Sequence, residues 1–249
     1  MHPILFEIFG FPIHSFGIMV AIGFTFGLLR MLKVCPKYKI QPDKVFDIVI
    51  LSIIFGIIGS RLLYVLIKHS DYTFVTALRV WEGGLSFHGG LFLGILSIWI
   101  YSKINKICFL KILDLIAPSL CIAYTFGRIG CFLNGCCYGI ATNFFWGVPM
   151  PTESGIILSE PTQIYSAIAG ITIFFILRRL EYLNKKDGFI VINFLLMYGI
   201  YRFFIEFLRN HLPNDFIFGL ITQGQIVSIL MVLIACIILI CSDKKNNNK

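Results

Sequence analysis

The feature that most limits what this chain can become is a succession of apolar runs, each about as long as a bilayer is thick. A helix needs roughly 20 mostly apolar residues to cross the hydrocarbon. Segments 14–32, 46–67, 85–102, 112–133, 161–180, 188–208 and 223–242 all qualify. Lipid offers no water to satisfy stray backbone groups, so each run is expected to be helical. The expected fold is therefore all-α, a polytopic integral membrane protein of about seven transmembrane helices. Glycines such as Gly56 and Gly59 suit close packing of such helices. Composition agrees: 14% of the 249 residues are charged and 57% are hydrophobic, whereas soluble domains carry about a quarter charged. That leaves too little charge to coat a water-facing surface.

A net charge of +8 raises the question of nucleic acid, and the placement of the basic residues answers it. They punctuate the ends of apolar runs instead of forming one patch. Arg30, Lys33, Lys37, Lys39, Lys44, Lys103, Lys106, Lys111, Arg178, Arg179, Lys185, Lys186, Lys244, Lys245 and Lys249 all fall on one set of alternate ends. The other set has Lys68, Arg79 and Arg209. Short cytoplasmic loops are the ones enriched in lysine and arginine. The N-terminus is accordingly expected outside (periplasmic) and the C-terminus in the cytoplasm. The first twenty residues lack the basic start and small-residue cleavage site of a signal peptide, so the first span is expected to be retained. Residues 1–249 are expected to form a single transmembrane domain, with a short outer cap loop at 134–160.

Three arginines remain within spans: Arg61, Arg128 and Arg202. A charge at the centre of a membrane helix costs about 3 kcal/mol on insertion scales, which makes such residues rare and functional by default. On the expected topology all three lie toward the outer side. Convergence on one level favours a shared anionic ligand, and a guanidinium fork suits a phosphate. At that depth the available phosphate is a phospholipid headgroup. Glu206 shares a helix face with Arg202, four residues away, and is read as a structural ion pair. His88 is flanked by Gly83–Gly84 and Gly89–Gly90. Glycine permits close approach of a ligand and histidine moves protons near neutral pH, so His88 is placed in the site. His14, His69 and His211 are read as interfacial.

The segment GRIGCFLNGCCYG, 127–139, holds three of the chain's eight cysteines. Zinc suits Cys131, Cys136 and Cys137 poorly, since there is no CxxC pair and no obvious fourth ligand. A disulfide from Cys131 to either neighbour and a thiolate nucleophile beside Arg128 both stay open. Small packing residues are the preferred reading.

With these residues in hand, the chain resembles the prolipoprotein diacylglyceryl transferase family over nearly its whole length. The resemblance rests on GSRLLYV at 59–65, WEGGLSFHGGL at 81–91 and GRIGCFLNGCCYG at 127–139. It continues through EPTQIY at 160–165, YGIYRFFIEFLR at 198–209 and GQIVSI at 224–229. It implies a bacterial inner-membrane enzyme that moves the diacylglyceryl group of phosphatidylglycerol onto the lipobox cysteine of a preprolipoprotein. The partners implied are phosphatidylglycerol, lipobox signal peptides and membrane lipids, with no nucleic acid, metal or other cofactor. The family's motif histidine falls on His88, its signature arginine on Arg128 and a third catalytic position on Arg202. Arg128, Arg202, Arg61, Asn134 and Gly139 are expected to contact the lipid substrate. Glu206, Gln163 and Tyr165 are expected to support the site. The chain departs from the family pattern where Cys131 replaces asparagine and Cys136 replaces glutamate. It departs again where Phe16 stands for tyrosine and Glu160 for histidine, and in a short connection after Gly139. Two other functions fit the same residues: a divergent membrane enzyme working through Cys136 or Cys137, and a lipid-binding protein without catalysis.

Overall fold

The computed structural model describes residues 2–8, 10–68, 79, 83–152, 155–183, 186–211, 216–217 and 220–247. Each expected apolar run is a helix: α1 Ser15–Val34, α2 Pro42–Ile67, α3 Phe87–Ile104, α4 Phe109–Asn134, α5 Thr162–Leu183, α6 Phe189–Glu206 and α7 Gln223–Asn247. Among the described residues six of them, α1 to α6, are long and apolar enough to cross a membrane. In α7 the apolar stretch with described side chains is Gln223–Leu239. Large apolar side chains point outward, among them Leu29, Phe92, Phe175, Phe204 and Ile237. Lipid favours that arrangement and water would not. Polar side chains turn inward and bond their own helix: Ser52 Oγ donates to Ile48 O at 2.6 Å, and Ser228 Oγ to Gly224 O at 2.7 Å. The chain is a multi-pass membrane protein.

The all-helical expectation needs one amendment. Among the described residues three antiparallel hairpins lie outside the helices, one before α1 and two in connections: β1 Ile4–Ile8 with β2 Phe11–His14, β3 Val148–Thr152 with β4 Gly155–Ser159, and β5 Phe216–Ile217 with β6 Ile221–Thr222. The second of these folds part of the expected cap loop. His69, Trp81 and Glu82 lie outside the described residues.

The chain forms two compact units. In Met31–Leu115, α2 and α3 run antiparallel at very short range. A Cβ on Gly59 would come within 2.3 Å of Gly89 O, and one on Gly90 within 2.9 Å of Gly56 O. Glycine is what allows backbones to approach this closely. Toward the other end of the pair, Tyr101 donates to Asp47 Oδ2 at 2.6 Å and Lys44 to Asn105 Oδ1 at 2.5 Å.

The other unit, Met1–Arg30 with Ile116–Lys249, holds the rest of α1 and α4 together with α5, α6 and α7. Its core includes Ala117, Cys121, Ile173, Leu177 and Ile190. Gly23, Gly27 and Gly130 lay α1 along α4, Gly170 brings α5 to α4, and Gly199 brings α6 to α7. Arg30, at one end, pairs with Glu181 and donates to Ser119 Oγ at 3.3 Å. The opposite end gathers the C-termini of α4 and α6 and the N-termini of α5 and α7.

Candidate active site

Arg128 lies near the C-terminal end of α4. Its guanidinium sits 5.0 Å from the centre of the Tyr124 ring, one turn back on the same face. Tyr124 in turn meets Tyr198 of α6 edge-on at 5.5 Å. Among the described residues no carboxylate pairs with Arg128. The side chain instead lines a cavity of about 250 Å³ with Ile129, Phe132, Gln163, Ile164, Ala167 and Ile168. Ile168 is 58% exposed, so this cavity opens on the apolar flank of the unit. Gln163 is fully buried; its Nε2 donates to Cys136 O at 2.7 Å, while its Oε1 has no hydrogen-bond partner among the described residues. The wall of that slot is hydrocarbon, and Arg128 and Gln163 border it without turning a polar atom into it.

Arg202 is arranged differently. Its Nη2 is 2.9 Å from Glu206 Oε2 on the next turn of α6. Glu206 is 4% exposed and has further neighbours: Thr222 Oγ1 donates at 3.1 Å, Arg209 lies at 3.9 Å and His211 at 3.6 Å. Gly224, at the start of α7, makes room for the pair. A Cβ there would fall 2.5 Å from Glu206 Oε1 and 3.1 Å from Arg202 Nη2. His211, expected at the interface, is thus part of this charged group.

Between α4 and α5 the chain makes a tightly held turn. Asn134 ends α4, and the Cys136 thiol lies 3.7 Å from Cys131 O. Gly135 (φ 74°) and Cys137 (φ 61°) are both left-handed. The Cys136 amide returns to Cys131 O at 3.1 Å, and Thr162 Oγ1 donates to Cys137 O at 3.0 Å. A hydrogen bond from Cys131, with the Cys136 thiol, Arg128 and Arg209 nearby, holds the Cys137 thiol below its ordinary range against the opposing effect of burial. Gly139 bridges to Arg209 and donates to Glu160 O at 2.9 Å. A Cβ on it would meet Leu208 O at 2.4 Å, so that crossing admits only glycine. Glu160 accepts from Tyr165 at 2.7 Å and from Trp146 at 3.2 Å. Burial raises its pKa, but the bonds from Thr142, Tyr165 and Trp146 outweigh that and hold it below the ordinary 4.5.

His88 and Arg61 belong to the other unit. His88 is exposed on the first turn of α3. Of its glycine neighbours, Gly89 and Gly90 serve the contact with α2, and Gly83 and Gly84 take left-handed turns (φ 86° and 71°). The expectation that these glycines clear space for a ligand is thus corrected for Gly89 and Gly90. Arg61 is buried and donates to Gly83 O at 2.6 Å and Gly84 O at 3.2 Å. It fastens the segment that leads into α3.

A family model described as prolipoprotein diacylglyceryl transferase matches residues 3–241. The chain belongs to that family. It is similar to the phosphatidylglycerol–prolipoprotein diacylglyceryl transferase of Clostridium tetani, 34% identical over 238 residues that cover 94% of this chain and 95% of the relative. Clostridium perfringens has a relative, phosphatidylglycerol–prolipoprotein diacylglyceryl transferase 2, 36% identical over 255 residues covering 100% and 98%. The Clostridioides difficile enzyme of the same name is 34% identical over 250 residues, again 100% and 98%.

Within this member of the transferase family, one end of one unit brings together Arg128, Asn134, Gly139, Gln163, Tyr165, Arg202 and Glu206. Sequence reasoning did not place Glu160 or Gly224 among the supports. Glu160 was visible only as a departure from histidine. Gly224 opens the short GQIVSI segment, where nothing local hints at an ion pair on another helix.

Proposed function

We propose that this chain transfers the diacylglyceryl group of phosphatidylglycerol to the lipobox cysteine of preprolipoproteins, the first step of lipoprotein maturation. The observation that carries the reading is Arg128: a guanidinium with no carboxylate partner among the described residues, on a side chain that borders an apolar cavity. Phosphatidylglycerol has matching parts, an anionic phosphate and two hydrocarbon tails.

In the reaction the substrate thiolate attacks the diacylglyceryl carbon attached to the phosphate oxygen. A carbon–sulfur bond forms, the carbon–oxygen bond breaks, and glycerol phosphate leaves with one more negative charge. Arg128 and Arg202 stabilise that charge as it develops. His88 accepts the thiol proton directly or through water. Asn134, Gly139 and Arg61 shape the headgroup site, with Gln163, Tyr165 and Glu206 holding the framework. No metal or nucleotide takes part.

The finer topology is part of the same proposal: a single domain of seven spans, N-terminus periplasmic, C-terminus cytoplasmic, a short cap at 134–160, in the bacterial inner membrane. The uneven distribution of lysine and arginine between the loop sets supports it.

The decisive experiment is complementation of a strain depleted of its own transferase, with mass spectrometry of a lipobox peptide. A diacylglyceryl adduct is expected. Protein verified in the membrane with no adduct would sink the proposal. His88→Gln tests the base: an unchanged rate and pH profile would remove His88 from that role. The alternative enzyme working through Cys136 or Cys137 predicts loss of activity in Cys136→Ser or Cys137→Ser, which the transferase reading does not.

A further inference from the structure

The three cysteines of the 127–139 segment are scattered in sequence terms, one on a helix and two in the turn beyond it. The fold gathers them. The sulfurs of Cys131, Cys136 and Cys137 all lie within 4.8 Å of one another. We propose that these three side chains form a binding site for a soft d¹⁰ cation, Cu(I) or Zn(II), at the C-terminal end of α4.

Geometry supports this. A metal–sulfur bond is about 2.3 Å. Three sulfurs around one ion then stand about 3.8–4.0 Å apart, whether the site is tetrahedral or planar. Edges of at most 4.8 Å lie within about 1 Å of that size. A disulfide would require one pair to close to about 2.05 Å and would leave the third sulfur with nothing to do. All three are free thiols in the structure.

The turn that carries them is built, not loose. Gln163 Nε2 holds Cys136 O at 2.7 Å and Thr162 Oγ1 holds Cys137 O at 3.0 Å. The Cys136 amide is tied to Cys131 O. Cys137 keeps a left-handed backbone (φ 61°), which side-chain-bearing residues seldom adopt without outside constraint. These contacts fix the backbone that carries the sulfurs before any ion arrives, as the surroundings of a metal site do for its ligands.

Ligand type selects the ion. Thiolates favour Cu(I) and Zn(II) over hard cations. Among the described residues no fourth histidine, cysteine or carboxylate joins the group. Three-coordination satisfies Cu(I), whereas Zn(II) would complete its shell with water. Three thiolates around a monovalent ion carry excess negative charge, and Arg209, which acts electrostatically on Cys137, offsets part of it.

The test uses the full-length protein in nanodiscs, reduced and stripped of metal. Cu(I) is titrated against a chromogenic chelator, and Zn(II) in a parallel series. One ion per chain is expected. Cys131→Ser, Cys136→Ser and Cys137→Ser should each weaken binding at least about tenfold, since even loss of an outer-sphere partner costs that much. Cys35→Ser and Cys121→Ser, both in the packed interior, should leave the affinity of the folded protein for the ion unchanged. Either ion held through these three thiols supports the site, and the two series say which. A second readout avoids variants: in the native protein, bound ion should shield these three cysteines from alkylation, mapped by mass spectrometry, and leave Cys108 reactive. Unchanged labelling at saturation, binding that survives the triple serine variant, or a protein isolated with two of the three in a disulfide that takes up neither ion after reduction would overturn the proposal.

Discussion

Arg128 and Arg202 stand near the ends of neighbouring membrane helices in one unit, and their surroundings differ in kind. Arg202 has a carboxylate at 2.9 Å that is itself held by Thr222 and flanked by Arg209 and His211. Arg128 rests its guanidinium on the Tyr124 ring and borders a cavity of about 250 Å³. A guanidinium with an internal acid already has its counter-charge. One held by an aromatic face beside an apolar slot has, on the proposed function, the phosphate of the incoming lipid as its counter-charge. On the proposed reaction both lend charge to the leaving phosphate, Arg202 as one half of an ion pair within α6 and Arg128 without an internal acid among the described residues.

Arg128→Ala is the largest expected effect. It should lower kcat/KM by about 10²–10³, or about 2.7–4 kcal/mol, as loss of one transition-state donor does elsewhere. Its thermal midpoint in detergent should stay near wild type, and a comparable fall in stability would break the contrast. Glu206→Ala should do the opposite. It strands Arg202 beside an empty position and should cost about 1–3 kcal/mol of stability, read as a lower midpoint, with Glu206→Gln less affected. Gly139→Ala comes next. Its Cβ would press on Leu208 O and the Glu160 and Thr162 side chains, for about 1–3 kcal/mol of overpacking. Near-normal stability there would mean the crossing can yield.

The smallest effect is on pH dependence. Glu160 is held below the ordinary 4.5. Its contribution is therefore present above that value and is lost as the pH falls through the lower folded pKa. Melting curves taken from about pH 6 down to about pH 3 should show wild type losing more stability than Glu160→Gln. Parallel curves would remove Glu160 from the acid-sensitive part of the turn.

The helices were legible because an apolar run of about twenty residues has one backbone solution in hydrocarbon. Gly56 and Gly59 were legible as packing residues for the same reason. The hairpins were not, since their strands are short and lie in loops where water relaxes the constraint. Arg128 could be singled out from cost alone: a charge inside a span demands a reason. What Arg61 does could not, because its partners include the carbonyls of Gly83 and Gly84, and backbone acceptors leave no mark on composition. Gly89 and Gly90 misled by proximity to His88, as they answer to Gly56, Gly59 and Ser60 on another helix.

The amino-acid sequence alone determined that this chain is a multi-pass membrane protein, that its buried charges are few, and, through its motifs, which family it resembles. Those properties follow from transfer free energies and local pattern, which every residue carries wherever the chain goes. Only the tertiary structure decided which arginine has an acid, which glycine is a crossing point, and that three separated cysteines converge. Such facts depend on distances between helices, and distance is set by packing after the local choices have been made.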